Sequence, residues 1–380
     1  MKNKKTIKNV LVVAPNWLGD AVLALPAIAG VRKLFPASQI TILGLQHICE
    51  LFKESPYADE RKIYSDTLLT TVSIIRKERF DLAILLPNSF RTALMVHLAR
   101  IPLRCGYKRD GRGIMLNMAI KVDANTTKLP QTEYYMNIVN YIIQELANND
   151  ENTLPFKGRD GVGMGFSSEG ENRFPHLLYL SHDEIQYANE TLQNFNISPG
   201  SLIIGINPGA AYGSAKRWYP ERFAQVSSAL VNKHKTAIII FGSKQELDIA
   251  TEIENLSRVP VINMAGKTNI RELIALIKQC TVLITNDSGP MHIAAALATP
   301  VVAIFGSTDP GKTGPIGDGN VVIRKNADCS PCFNRKCPTD LRCMDMIKVE
   351  DVLTGVEMIL TNMRIPLNPP FLKGEISSPI

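Results

Sequence analysis

The chain has 380 residues, which is long for a single hydrophobic core and predicts two domains. Its composition is globular, with 45% hydrophobic and 21% charged residues and a formal net charge of +6. The basic residues are scattered and no RNA- or DNA-reading motif is present, so a nucleic-acid partner is not expected. No apolar run is long enough for a signal peptide or a membrane span, which predicts a soluble, cytoplasmic protein.

In the first half, short apolar runs alternate with helical patterns. The run from Val10 to Ala14 predicts a buried strand, and the helix after it extends to about Lys33, with a kink or late start at Pro26. The next predicted elements are a strand at Ile40–Leu43, a helix at Leu68–Arg79 and a strand at Leu82–Leu86. This alternation predicts an α/β domain with a parallel sheet, whose working residues follow the carboxyl ends of the strands.

The second half repeats the alternation after a linker that ends at Gly200. Before the linker, Ser181 is predicted to cap a helix from Asp183 to Phe195. The strands predicted after it are Leu202–Ile206, Ala237–Phe241, Thr281–Ile284 and Val301–Phe305. The helices predicted between and after them begin at Pro220, Ser243, Ile270 and Met291. The predicted domains are therefore residues 1–196 and 200–347, followed by a helix at 348–363 and a disordered, Pro-rich tail at 366–380.

Two polar loops of the second half have the composition of anion sites. One contains Gly209, Ala210 and Lys216 and suits a phosphate, although it lacks the P-loop spacing; Trp218 beyond it is expected to pack over a helix start. The other, Asn286–Gly289, leads into a helix whose free N–H groups and dipole attract an anion. Plain helix capping is the alternative explanation for the second loop. A third loop follows Phe241, and convergence of the three indicates a nucleotide site.

The first half contains two further candidates. Asp20 lies at a helix start, where it is either a helix cap or a general base at the mouth of a cleft. Basic residues cluster among glycines and form either a solvated loop or a seat for an anionic substrate, namely Arg104, Lys108, Arg109 and Arg112.

Four of the seven cysteines lie close together in the sequence. Cys329, Cys332, Cys337 and Cys343 have the spacing C-x2-C-x4-C-x5-C. In a reducing cell this suits a structural zinc or iron–sulfur centre, while packed free thiols or disulfides are the alternative.

Five motifs occur in one order along the chain. Together they resemble the ADP-heptose:lipopolysaccharide heptosyltransferases, above all the heptosyltransferase II branch, from Val10 to about Thr361. The motifs are Pro15–Asp20, Leu86–Arg91, Pro208–Ala210 with Lys216–Trp218, Phe241–Ser243, and Thr285–Gly289 with His292.

The resemblance implies a GT-B fold, in which two Rossmann-like domains with parallel sheets face each other across a cleft. The C-terminal domain would bind ADP-heptose, and the N-terminal domain the lipid A-linked lipopolysaccharide inner core. In GT-B proteins the last helix often packs back on the N-terminal domain, so the resemblance implies the same packing here. The absence of an Asp-x-Asp pair implies that catalysis requires no metal cofactor. This role is compatible with peripheral contact at the cytoplasmic face of the inner membrane.

The resemblance also implies an inverting transfer in which Asp20 is the general base and Lys216 neutralises the departing ADP. The donor-binding residues it implies are Gly209, Ala210, Lys216, Ser243, Asp287, Ser288, Gly289 and His292. The acceptor-binding residues, chosen for position and charge, are Asn88, Arg91, Lys108, Arg109 and Arg112. Some relatives carry a ribose-binding carboxylate soon after the residue that matches Gly242; here Ser243 follows and Glu246 comes later, which leaves the ribose partner open.

The sequence allows two competing functions. One is a glycosyltransferase of the same family that uses another nucleotide sugar or acceptor, and the other is a non-catalytic protein that binds sugar nucleotides. A dehydrogenase is disfavoured, because neither half has G-x-G-x-x-G after a strand.

Overall fold

The structure, a computed structural model, describes residues 7–149 and 177–363. Its strands form two six-stranded parallel sheets, which confirms the predicted α/β fold. The first sheet consists of β1 (Asn9–Val13), β2 (Gln39–Gly44), β3 (Glu60–Ile63), β4 (Leu82–Leu85), β5 (Leu103–Tyr107) and β6 (Met118–Ile120). The second consists of β7 (Ile203–Asn207), β8 (Ala237–Ile240), β9 (Ile262–Asn263), β10 (Val282–Asn286), β11 (Val301–Phe305) and β12 (Val321–Arg324).

The strand orders are β3-β2-β1-β4-β5-β6 and β12-β11-β10-β7-β8-β9. In both sheets the central strands are buried on both faces, as their runs of Val, Ile and Leu predict. Because β10, β7 and β8 are neighbours, the three loops that follow them meet at one edge of the second sheet.

Helices cover both faces of each sheet. In the first half they are α1 (Leu18–Leu23), α2 (Leu25–Leu34), α3 (Gln46–Leu51), α4 (Leu68–Lys77), α5 (Phe90–Leu98) and α6 (Gln131–Asn149). In the second half they are α7 (His182–Asn194), α8 (Pro220–His234), α9 (Leu247–Leu256), α10 (Ile270–Gln279), α11 (Gly289–Ala296), α12 (Pro310–Thr313), α13 (Arg342–Asp345) and α14 (Val349–Asn362). The break between α1 and α2 confirms the late start predicted from Pro26, which occupies the first turn of α2.

The two halves meet through two pairs of helices. Helix α1 packs on α11, and α3 packs on α10. One hydrophobic core includes side chains of both halves, such as Val22 and Leu25 from the first and Met291 and Ile293 from the second. The carboxyl edges of β1 and β10 are thereby held close together.

A buried ion pair ties α7 to α10 and to the first half. The guanidinium of Arg271, which is 5% exposed, donates to both carboxylate oxygens of Glu184 at 2.7 and 2.6 Å. It also donates to the carbonyl oxygen of Tyr179 at 2.5 Å and to that of Leu51 in α3 at 3.3 Å. One side chain therefore joins the segment before α7, helix α7 itself and the end of α3.

Two expectations about domain organisation are corrected. Helix α7 was assigned to residues 1–196, but it packs on α10 of the second half, so the boundary lies before it. Helix α14 was expected to pack back on the N-terminal domain, but it packs on α8, β10, β11 and β12. The reason is its apolar face, Val352, Val356, Ile359 and Leu360, which completes the core on the second sheet. The predicted tail at 366–380 lies outside the described residues.

No helix in residues 7–149 or 177–363 combines the length and the apolar character needed to cross a bilayer.

Replacing Arg271 by Met is expected to lower the free energy of unfolding by about 3–5 kcal/mol, because the Glu184 carboxylate loses its partner while it stays largely buried. Urea denaturation measures this loss. The matched control is Glu78→Gln, which removes the more exposed Lys62–Glu78 pair at 2.9 Å and should cost about 1 kcal/mol or less. Equal losses in the two variants would show that the buried Arg271–Glu184 pair contributes no more to stability than an exposed pair does.

Candidate active site

Asn286, the last residue of β10, fixes two loops of the second half. Its side-chain Nδ2 donates to the carbonyl oxygen of Pro208 at 2.7 Å, and its Oδ1 accepts the backbone N–H of Trp218 at 3.1 Å. Trp218 is buried, as predicted, and its Nε1 donates to the carbonyl oxygen of Ile347 at 3.0 Å. These bonds hold the loop that carries Lys216 against the end of β10.

Lys216 and Asp287 form an ion pair at the carboxyl edge of the second sheet. The Nζ of Lys216 lies 2.5 Å from Oδ2 of Asp287, which is buried. The hydroxyl of Thr308, in the loop after β11, donates to the same oxygen at 2.7 Å. The sequence pointed to Lys216 and Asp287, but no motif pointed to Thr308, which fixes the orientation of the carboxylate.

Asp20 lies within the electrostatic reach of this pair. Burial raises the pKa of Asp20 to about 6; the Lys216 ammonium lowers that pKa and the Asp287 carboxylate raises it. Trp17, not Asp20, occupies the N-cap position of α1, so the capping interpretation of Asp20 is wrong. Burial, and then the nearby Asp20 carboxylate, raise the pKa of the Tyr135 phenol of α6. A carboxylate with a pKa near neutrality suits a general base.

His292 is buried beside the helix that carries Asp20. Burial lowers the pKa of His292 to about 4, so the imidazole is neutral at neutral pH. A Cβ added at Gly19 would lie 2.9 Å from Cδ2 of this ring, which shows how close α1 and α11 are. The Nδ1 of His292 is buried and has no hydrogen-bond partner within the described ranges. His292 is therefore a buried residue of α11 and does not lie on the solvent-exposed side of the helix.

The first turn of α11 has the features of an anion site. Ser288 is its N-cap residue with an extended backbone, and Pro290 follows Gly289 inside the first turn. The Ser288 hydroxyl accepts a hydrogen bond from Nδ2 of Asn207 at 3.1 Å, which leaves the backbone N–H groups for a ligand.

Glu246 lies beside Gly209, at the point where the loops after β7 and β8 meet. Its Oε2 accepts hydrogen bonds from the backbone N–H and the hydroxyl of Ser243 at 2.8 and 2.9 Å. A Cβ added at Gly209 would collide with the Glu246 carboxylate, so a larger residue there would displace that side chain. Ser243 thus serves as a hydrogen-bond partner of Glu246. Ser243-x-x-Glu246 is a capping-box pattern, a signal that could have located it.

Among the acceptor candidates, Asn88 and Arg112 are bound to each other. The Nη2 of Arg112 donates to Oδ1 of Asn88 at 3.1 Å, and Nδ2 of Asn88 donates to the hydroxyl of Tyr134 at 2.8 Å. The rest of the Arg112 guanidinium, which is fully buried, donates to the carbonyl oxygens of Tyr107 and Pro87. The expectation that Arg112 faces the acceptor is therefore wrong. Its buried guanidinium instead supports the loop that carries Asn88.

Arg91, Lys108 and Arg109 are exposed at the carboxyl edge of the first sheet. Their side chains form no hydrogen bond or ion pair with another residue of the described ranges. They remain available to an anionic partner, unlike Arg112.

The cysteine segment forms a wall of the second-half site. The carbonyl oxygen of Ser307, next to Thr308, accepts the backbone N–H groups of Cys332 and Phe333 at 3.1 and 2.8 Å. On the other side the backbone N–H of Ala215, next to Lys216, donates to the carbonyl oxygen of Arg335 at 3.1 Å. The segment thus supports the loops that hold both partners of Asp287.

All four cysteines of the segment are free thiols: Cys329 is exposed, Cys332 and Cys337 are half-buried, and Cys343 is buried. Within the described ranges, no three His, Cys, Asp or Glu side chains are placed to hold a metal ion. The expected zinc or iron–sulfur centre is therefore unsupported.

Two Rossmann-like halves with a charged site where their carboxyl edges meet define a glycosyltransferase of the GT-B class. The structure is similar to that of the ADP-heptose lps heptosyltransferase II of E. coli, with a TM-score of 0.75, 25% identity and coverage of 94% of this chain and 100% of that one. The sequence is 31% identical over 334 residues to lipooligosaccharide heptosyltransferase 2 of Haemophilus influenzae, covering 83% of this chain and 88% of the relative. The corresponding protein of Haemophilus ducreyi is 30% identical over 328 residues, with the same coverage.

The family model for glycosyltransferase family 9 (heptosyltransferase) matches residues 71–154 and 173–342, more than half of the chain. The protein belongs to this family.

If Asp20 is the general base, activity is expected to be lost as the pH falls through about 6, because the carboxyl group must be unprotonated to accept a proton. Lys216→Met should move this acid limb to higher pH, since the ammonium that lowers the pKa of Asp20 is gone. Asp287→Asn should move it to lower pH, since the carboxylate that raises this pKa is neutralised. The measurement is kcat/KM against pH, or NMR titration of the Asp20 carboxyl group where turnover is too slow.

The matched control for this pair is Lys233→Met and Glu357→Gln, which remove an ion pair of 2.8 Å between α8 and α14. These variants should leave the acid limb in place. Shifts of the same sign in Lys216→Met and Asp287→Asn would contradict the assigned arrangement.

Proposed function

We propose that the protein transfers L-glycero-D-manno-heptose from ADP-heptose to a heptose of the lipopolysaccharide inner core, with inversion at the anomeric carbon. The donor class and acceptor class come from the names of its relatives, which are ADP-heptose and lipopolysaccharide heptosyltransferases. The observation that carries the mechanism is the position of Asp20, a carboxylate with a raised pKa, beside the Lys216–Asp287 pair of the opposite half.

The chemistry is a single displacement. The acceptor hydroxyl oxygen attacks the anomeric carbon as the bond from that carbon to the ADP oxygen breaks, and the hydroxyl proton passes to Asp20. Attack from the face opposite the leaving group inverts the anomeric configuration. Lys216 and the backbone N–H groups of Ser288 and Gly289 stabilise the negative charge on the departing diphosphate. His292, neutral at the working pH, contacts the sugar or the diphosphate without adding a charge.

The nucleotide occupies the edge of the second sheet. Its diphosphate lies at the amino end of α11 and along the loop of Gly209 and Ala210. We assign the ribose to Glu246, whose carboxylate adjoins Gly209 and can accept hydrogen bonds from two vicinal hydroxyls. Asn88 and the exposed cations Arg91, Lys108 and Arg109 face the acceptor and its phosphates or acidic sugars.

Asp20→Asn should reduce turnover by a factor on the order of 100 to 10,000, because the acceptor proton has no base to receive it. The assay follows heptose transfer from ADP-heptose to a truncated lipopolysaccharide core, together with ADP release. The melting temperature should not fall, since the change removes a carboxylate that is costly to bury.

The control for this variant is Asp183→Asn, which removes an exposed acid from the first turn of α7. It should retain full turnover. If both variants and the unaltered protein bind the donor but none of the three releases ADP, a non-catalytic binding protein is favoured. Transfer of another nucleotide sugar in preference to ADP-heptose would point to the other family activity.

Glu246→Gln should raise the KM for ADP-heptose by about 10- to 100-fold with little change in kcat, because charge-assisted bonds to the ribose are lost. Glu272→Gln is a close control, since Glu272 closes the same kind of capping box with Asn269 at the start of α10. Both changes weaken a cap and should cost about 1 kcal/mol or less of stability. An equal rise in KM in both variants would remove Glu246 from the ribose site.

A further inference from the structure

Three neighbouring elements of the first half each expose a large apolar side chain. Helix α4 packs on α5, and α5 packs on the 3-10 turn Arg112–Met115. Near the amino ends of α4 and α5, Leu69 is 72% exposed and Phe90 is 47% exposed; in the turn, Ile114 is 88% exposed. Large apolar side chains gathered in one region of a surface mark a site of contact with another molecule.

These side chains lie at the carboxyl edge of the first sheet, because α4, α5 and the turn follow β3, β4 and β5. The three elements bury Val72, Val96 and Met115 against the sheet face that presents Leu11 and Leu85. Helix α1, which meets the second half through α11, belongs to the core on the other face. The exposed side chains therefore lie on the other side of the first sheet from α1, which contacts the second half.

Exposed cations accompany the apolar side chains. Arg91 follows Phe90, and Lys108 and Arg109 follow β5. The exposed acids of the same region are Asp66 and Asp110, so the cations are in excess, as they are in the whole chain. We call the surface formed by Leu69, Phe90, Arg91, Lys108, Arg109 and Ile114 the outer lip.

We propose that the outer lip is the surface by which the protein rests on an anionic lipid bilayer. Separate apolar side chains can enter the headgroup region while Arg and Lys remain at the level of the lipid phosphates. Three separate apolar side chains beside two arginines and a lysine fit an anionic lipid surface, and contact with a second copy of the chain is an outcome that the test distinguishes. One part of the proposal rests on the proposed function: a lipid-linked acceptor explains why a bilayer lies beside the cleft.

The binding test uses the full chain without donor or acceptor. Vesicles of phosphatidylcholine, with or without 30% phosphatidylglycerol as a roughly physiological anionic content, are sedimented with the protein over a range of salt concentrations. The unaltered protein should bind the anionic vesicles, and binding should weaken as salt rises. Leu69→Ser combined with Ile114→Ser should reduce the partition coefficient about tenfold or more.

The matched control combines Leu247→Ser and Leu256→Ser, which alter two exposed leucines of α9 in the second half. It should bind as the unaltered protein does. Equal binding by the outer-lip variant and the unaltered protein, or an equal loss in the control, overturns the proposal. Self-association that the outer-lip variant abolishes, without vesicle binding by either protein, would assign the surface to a second copy of the chain and overturn it as well.

Activity measurements separate this proposal from the proposed function. The outer-lip variant should transfer heptose normally to a soluble, deacylated core acceptor and more slowly, in proportion to lost binding, to an acceptor embedded in vesicles. Normal melting temperature shows that the variant is folded. Vesicle binding that depends on Leu69 and Ile114, in a protein that transfers no heptose to either acceptor, would refute the proposed function and leave the docking surface in place.

Discussion

The site depends on how closely α1 and α11 approach each other. Gly19 and Gly289 make this approach possible: a Cβ at Gly19 would lie 2.9 Å from the His292 ring, and one at Gly289 would lie 3.0 Å from the side chain of Leu18. Larger residues would separate the helices, and with them the two halves of the molecule. Asp20 sits next to Gly19 in α1, whereas the Lys216–Asp287 pair belongs to the other sheet. The Asp20 carboxylate and the charged pair therefore come together because two positions in the contact lack side chains.

The pairing of Lys216 with Asp287 also explains how a cation can be kept in a partly enclosed site. Without a partner, either charge would carry a large desolvation cost. When a diphosphate competes for the ammonium, Asp287 keeps the hydroxyl of Thr308 as a donor, so the buried carboxylate is not left without a hydrogen bond. The loops that hold Lys216 and Thr308 are both hydrogen-bonded to the cysteine segment. That segment is thus a structural wall of the site in its own right, whatever the state of its thiols.

The sequence revealed those parts of the molecule that have a local signal. Central strands such as β1 and β10 are continuous apolar runs, and Asn269 caps α10 with a complete capping box. The edge strand β3 alternates partly buried and exposed residues, and β9 has two residues, so neither stood out. Charge alone suggested that Arg112 meets the acceptor, but its partners are carbonyl oxygens brought together by the tertiary fold. Thr308 was missed for the same reason, because its contact with Asp287 depends on the neighbouring positions of β10 and β11.

The pKa of Asp20 links the chemistry to the arrangement of the two halves. Burial is the largest cause of the raised pKa, and the charges that modify this pKa belong to Lys216 and Asp287 of the opposite half. If the halves moved apart, water would reach the carboxylate, the pKa would return toward that of an ordinary aspartate, and Asp20 would become a weaker base. The Asp20 carboxylate is therefore most basic in the arrangement described, in which the two halves are in contact. A residue that looks like a simple helix-start acid in the sequence acquires its reactivity from a contact between domains.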